Sequence, residues 1–459
     1  MSPGPTFSGS LYDPLFGDPA VAARLSDEAR VQAMLDVEAA LAGAEAALGV
    51  IPAEAAPPIR AAARAALYDL RALADDAQHD GNLAIPLVRQ LTRQVAATAT
   101  EAARYVHWGA TSQDIIDTAL VLQLAAAVPL LIDQLRRAES AAAGLARAHA
   151  DTVMSGRTWL QQATPVTFGL KAAGWVDALQ RAHQRIGVAL DDARVLQFGG
   201  ASGTLAAFGA RGLAVAARLA ADLGLRAPAL PWHAHRDRLV QLACTLGVAT
   251  GTLGKIARDI ALLGQTEIAE AREAPAAGRG GSSAMPHKQN PVSAAVALAA
   301  AVRAPGLVAT MLTAMPQEHE RGLGGWQAEW TTLPELIGVT AGAARAVADA
   351  LSGLVVDPAR MRANLDASHG LALSEAVAVA LGAHVGKAQA HAIIEAAAAE
   401  AIASGRPFHD VLASDAAVAA HFDRAAIARL LDPAHYLGST SALIERVLSL
   451  GRKDDPEDV

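Results

Sequence analysis

The chain has a single cysteine, Cys244, in 459 residues, so no disulfide can form within it and packing alone must hold the fold. That usage fits a reducing compartment, and the cytoplasm is expected. Aromatic residues make up only 4% although hydrophobic residues reach 52%, with alanine supplying much of the apolar share. Strands draw on β-branched and aromatic side chains, so this balance disfavours sheet and favours closely packed helices. There is no long basic stretch, and 38 Lys and Arg against 46 Asp and Glu give a net charge of −8, which leaves no electrostatic footprint for nucleic acid. Mean hydropathy is +0.25, yet apolar runs such as Val292 to Val302 meet a charge, here Arg303, short of a bilayer's width, and no membrane span is expected. The opening MSPGPTFSGS lacks the basic and apolar regions of a secretory signal. Neither GxGxxG before a helix nor GxxxxGK[ST] occurs, which excludes the common nucleotide loops. His233 and His235 stand two apart with no third ligand nearby, so they read as loop or surface residues; neither metal nor cofactor is expected.

What is present reads as helix. Ser26 is placed to cap a helix on which Met34, Leu41 and Leu48 recur every seven residues, before Gly49 and Pro52 end it. From Gln113 to about Ala150 only Pro129 and Gly144 interrupt a pattern carried by Leu120, Leu124, Leu131 and Leu135, and such a helix would run roughly 55 Å at 1.5 Å per residue. Further long helices are predicted from Pro165 to about Leu196, Arg236 to about Ala271 and Pro291 to about Leu312. The fold class is therefore all-α, with an N-terminal helical domain over 1–106, a central long-helix bundle over 107–350 and a C-terminal helical domain over 351–459 ending in a frayed acidic tail. Apolar stripes on helices this long exceed what one chain can cover, which points to an oligomer.

Chemistry concentrates in GRGGSSAMPHKQNP, Gly278 to Pro291, within a loop spanning 274–290. Gly280 and Gly281 tolerate positive φ, so backbone N–H groups can converge on an anion, while Ser282 brings a proton carrier and Lys288 a positive charge. That set suits carbanion chemistry beside a carboxylate. Two other segments, His107 to Asp114 and Gly156 to Gln161, join it as one candidate site.

These three segments, in this order, resemble the conserved regions of the fumarase/aspartase superfamily, and the resemblance extends over nearly the whole chain. It implies a three-domain helical fold and a homotetramer built around a twenty-helix bundle, with each active site assembled from three subunits. It also implies that Ser282 exchanges a proton with carbon, that Lys288 stabilises the aci-carboxylate, and that Asn290, Thr111 and Ser112 contact substrate carboxylates. His107 matches a histidine of the adenylosuccinate-lyase branch. Ser283, Trp159 and Gln161 complete the substrate-binding set, and Arg321 is the candidate for holding one carboxylate.

The departures narrow the reading. Branches that eliminate an amine or hydroxide carry a histidine in the second region and a glutamate seven residues after the motif lysine; here those places hold Trp159 and Ala295. A poor leaving group needs an acid, which tryptophan cannot be. A carboxylate, whose conjugate acid has a pKa near 4, leaves unaided. The resemblance thus points to the lactonising branch, in which a carboxylate of a muconate adds across its own double bond, and to a small tricarboxylate substrate. The alternative is the adenylosuccinate-lyase branch, favoured by Ala284 to Lys288 and His107 but opposed by Trp159, Ala295 and the Gly322 to Trp326 stretch.

Overall fold

The computed structural model describes residues 11–275, 280–281, 285 and 287–450. They are mostly helical, and five helices of 23 to 37 residues dominate: Ser112–Ala148, Phe168–Ala193, Asp237–Leu263, Val292–Ala314 and Gly325–Ser352. The chain divides into two compact units, one of Met1–Leu135, Ala182–Gly254 and Val296–Arg345, the other of Arg136–Arg181, Lys255–Ala295 and Ala346–Val459.

In the first unit Ser26 caps the Asp27–Ala47 helix as expected, its hydroxyl accepting from the Ala29 N–H at 3.2 Å. Met34 and Leu41 are buried in that helix, and Leu48 is its half-exposed C-cap. The Ala84–Ala96 helix buries Ala84, Leu87, Leu91 and Val95, a 3-4-4 spacing that turns one face inward. Along Ser112–Ala148, the buried positions Val121, Leu124, Val128, Leu131 and Leu135 alternate steps of three and four, the seam of a helix bundle. Glycine lets two helices approach: a Cβ at Gly247 would lie 2.7 Å from Val308, and one at Gly254 2.5 Å from Ala301. The second unit has its own apolar centre at its C-terminal end, around Val377, Leu381, Ile394, Phe408 and Leu412.

Several expectations need correction. The second unit contains an antiparallel hairpin, β1 Val153–Thr158 and β2 Gln161–Thr167, so the helix expected from Pro165 begins only at Phe168. The helix expected to reach Ala271 stops at Leu263, ahead of Gly264. The helix Gly325–Ser352 has no counterpart among the expected ones, because Pro334 inside it reads locally as a break. Arg303 does not end its apolar run: the helix continues to Ala314, and it, Ser112–Ala148 and Asp237–Leu263 are each long and apolar enough to cross a membrane by length and composition. Ser112–Ala148 nonetheless buries Gln113, Asp114, Asp117 and Thr118 against protein partners, as a bundle helix does.

Glu45 is fully buried, and neither carboxyl oxygen has a hydrogen-bond partner among the described residues. Burial, followed by the charge of Glu38, pushes its pKa from 4.5 up to about 9. The folded state therefore carries Glu45 neutral at pH 7 while the unfolded chain ionises it, so stability present below pH 4.5 is lost as pH rises towards 9. At about 1.4 kcal/mol per unit, the loss by pH 7 is on the order of 3 kcal/mol. Glu45→Gln is expected to remove that slope. Urea unfolding of both proteins at pH 4.5 and pH 7 checks it, since any constant cost of the amide cancels in the difference.

Candidate active site

In the first unit the site is built on the start of the Ser112–Ala148 helix. Asp114 reaches back to the Thr111 N–H at 3.1 Å, half of a capping box, while the Thr111 carbonyl accepts from the Asp114 and Ile115 N–H groups. The same buried carboxylate accepts from Gly199 and Gly200 N–H, both at 2.9 Å, and from His233 Nε2 at 2.8 Å. One aspartate thus pins the helix start, the Gln197–Gly200 loop and the His233 segment together. His233 lies in a turn, as one of the two expected placements had it, but is 3% exposed and not on the surface: the ring is held by Asp114. Gly109 has φ +69, and a Cβ there would lie 2.5 Å from the Phe208 ring, so only glycine lets the His107–Thr111 turn sit this low.

The structure brings Thr111 and Arg321 together, with Arg321 donating to the Thr111 hydroxyl at 2.9 Å and to the Ala201 carbonyl at 2.7 Å. Arg321 forms no ion pair among the described residues, which leaves its charge available to an anion. Ser112 opens the helix and is half-buried. His107 adopts φ +58, and its Nδ1 donates to Glu38 Oε1 at 2.6 Å. Burial works to lower the His107 pKa, but the charge and hydrogen bond of Glu38, with Asp114 behind, outweigh it and raise the pKa above the ordinary histidine value. The imidazolium persists to higher pH than usual, and with Nδ1 engaged its Nε2–H is the remaining donor. Glu38→Gln is expected to move the alkaline limb of the kcat/KM profile to lower pH, so that activity falls more at pH 8 than at pH 6. An unmoved limb would show that this charge plays no part.

In the second unit Trp159 and Gln161 share the hairpin. Trp159 and Leu160 form its two-residue tip with φ of +53 and +63, a turn normally made with asparagine and glycine. Trp159 is 97% exposed and Leu160 77%, so Trp159 is not a core residue. Below the tip the ladder slips between Ser155 and Arg157, where a Cβ on Gly156 would lie 2.5 Å from the Thr164 carbonyl oxygen. Arg157 then grips the buried Glu270 through both guanidinium nitrogens, at 2.6 and 2.8 Å, and Asn364 donates to the same carboxylate at 2.8 Å.

The glycine-rich loop is closed at its base by the Asn290 N–H donating to the Gly280 carbonyl at 2.8 Å and by a bridge between Gly281 and Gln289. Gly280 has φ +73, as the anion-nest reading requires, whereas Gly281 is not left-handed. Lys288 and Asn290 are exposed. Ser282 and Ser283 lie outside the described residues. The helix after the loop is capped by Glu273, which accepts from the Ser293 and Ala294 N–H groups at 3.1 and 2.8 Å. Glu38, Asp114 and Glu270 do not stand out in the sequence. Only Asp114 leaves a local signal, the Thr-x-x-acid spacing from Thr111. Among the described residues no cluster of three His, Cys, Asp or Glu could hold a metal.

A family model described as lyase matches residues 17–306, and one described as adenylosuccinate lyase C-terminus matches residues 370–447. The chain is 52% identical to the 3-carboxy-cis,cis-muconate cycloisomerase of Bradyrhizobium diazoefficiens, over 97% of this chain and 98% of that protein. It is 54% identical to the Pseudomonas aeruginosa protein of the same name, over 96% of each. The crystal structure of the 3-carboxy-cis,cis-muconate lactonizing enzyme of Pseudomonas putida matches with a TM-score of 0.92 at 47% identity, over 97% of this chain and 99% of that one. With a matched helical architecture and likeness along almost its entire length, the chain belongs to the fumarase/aspartase superfamily of lyases.

Proposed function

We propose that this chain converts 3-carboxy-cis,cis-muconate to γ-carboxymuconolactone. An oxygen of one substrate carboxylate bonds to the alkene carbon, the double bond becomes single, and the carbon next to a second carboxylate takes up one proton. Ser282 delivers that proton, and Lys288 with the loop N–H groups stabilises the charge that develops on the adjacent carboxylate. Arg321, with Thr111, binds a carboxylate, and the His107 imidazolium binds another; Ser112, Ser283, Asn290, Gln161 and Trp159 are the further substrate-binding residues. The observation that carries this reading is the hairpin tip: Trp159 and Leu160 present no proton donor where an enzyme expelling an amine needs one.

The site is assembled from several copies in a homotetramer. Support comes from the exposed apolar tip and from the Val292–Ala314 helix, which leaves Val302 78% and Leu312 48% exposed. The apolar centres around Met34 and Phe408 support N- and C-terminal domains over 1–106 and 351–459 besides the bundle of 107–350. Loss of the conjugated-diene absorbance of 3-carboxy-cis,cis-muconate on adding enzyme tests the reaction, and sedimentation tests the tetramer. Fumarate release from adenylosuccinate, with an unchanged muconate spectrum, would move the chain to the purine branch.

A further inference from the structure

A cavity of about 240 Å³ lies within the first unit, apart from every residue assigned to the reaction. Its walls are largely apolar, from Met34, Leu83, Ile116 and Leu120, and the one cationic side chain on them, Arg30, has no carboxylate partner among the described residues. The Arg30 guanidinium donates to the Trp330 carbonyl at 3.3 Å and forms no ion pair among the described residues. Burial pushes its pKa down, opposed in part by the charge of Asp27, so the cation has lost water without gaining a carboxylate contact. The Trp330 indole N–H is buried with no acceptor among the described residues. Of the other polar wall groups, the Gln123 amide nitrogen donates to the Arg24 carbonyl, and Asn82 Oδ1 accepts from the Ile85 N–H.

We propose that this cavity is a binding site for a small monocarboxylate with an apolar body the size of one ring. The carboxylate pairs with Arg30, and the ring fills the apolar remainder. Size and wall chemistry set the class: an apolar cavity of about 150 Å³ holds benzene, so this one has room for a ring and its carboxylate. A second carboxylate on the ligand would be buried against Leu120 and Ile116 without a partner. Trp330 on its wall packs its ring edge-on against Trp326, the ring centroids 4.8 Å apart.

Benzoate is the probe, titrated calorimetrically into the full-length enzyme, with benzyl alcohol as the uncharged ring. The wild type is expected to bind benzoate more tightly than the alcohol, and Arg30→Gln to weaken benzoate roughly 10- to 100-fold, the worth of a charged hydrogen bond, while leaving the alcohol and muconate turnover within twofold. Arg321→Met is expected to retain benzoate binding. No benzoate binding to the wild type, equal loss of both probes in Arg30→Gln, or loss in Arg321→Met with retention in Arg30→Gln would each overturn the proposal, the last by placing benzoate in the active site. Should Arg30→Gln fail to fold, crystals of the wild type soaked with 4-iodobenzoate decide: iodine density between Met34 and Leu120 supports the site, and density only elsewhere refutes it.

Discussion

Ser282→Ala is expected to lower kcat on 3-carboxy-cis,cis-muconate by about 10²- to 10⁴-fold, the usual worth of a positioned proton donor, with little change in KM. The expectation follows from how few proton carriers the motifs retain. Trp159 and Ala295 replace the imidazole and carboxylate with which other branches of the superfamily protonate a leaving group, so one hydroxyl is left to work on carbon. Because that hydroxyl acts at carbon and not at a carboxylate, its loss should spare binding. Arg321→Met should show the opposite split, raising KM, since its guanidinium sits on Thr111 without an acidic partner among the described residues. Initial rates from the loss of diene absorbance separate the two. Near wild-type turnover in Ser282→Ala would remove the serine from the mechanism, and a large rise in KM without loss of kcat would make it a binding group instead.

Arg236→Met is expected to cost about 3–5 kcal/mol of stability, the penalty for stranding buried charge. Arg236 is fully buried and, among the described residues, is the only cation between two buried carboxylates: it donates to Asp117 at 2.6 and 3.1 Å and to Glu329 at 2.6 and 3.1 Å. Burial opposes its charge, but the two carboxylates outweigh it and hold the guanidinium protonated. Methionine would leave both acids without a counter-charge, although Asp117 would keep the Trp326 and Gln113 donors and Glu329 the Gln317 amide. Burial already raises the Glu329 pKa in the intact network. In the variant that acid should stay neutral to still higher pH, so the defect should be larger at pH 8 than at pH 5. Urea unfolding at fixed protein concentration measures it. Adding Asp117→Asn and Glu329→Gln should recover part of the loss, because a neutral network avoids the stranded charge; a single-variant loss below about 1 kcal/mol would mean that water reaches the site.

The buried acids are the part of this chain that its sequence hides best. Glu38 meets His107 across 69 positions, His233 meets Asp114 across 119, and Arg236 meets Glu329 across 93. No local pattern announces such pairs, and His233 reads as a loop histidine for that reason. The hairpin is hidden differently: Trp159 and Leu160 hold positive φ without the asparagine or glycine that would signal a turn. By contrast, the Ser26 cap and the Val121 to Leu135 seam are local, and both are legible to within a few residues.

Local order along the chain, by itself, determined that this protein is helical, where four of its five longest helices run to within several residues, and which serine, lysine and asparagine share a loop, because periodicity, capping and motif spacing all act within a few turns. Tertiary structure alone decided which charges are neutralised and which stay free. Arg236 and Arg321 are the same residue type, yet one is locked between two acids and the other rests on a hydroxyl and a carbonyl. The difference lies in burial and in partners brought from distant segments, and those set the energy of a charge far more strongly than its neighbours in sequence.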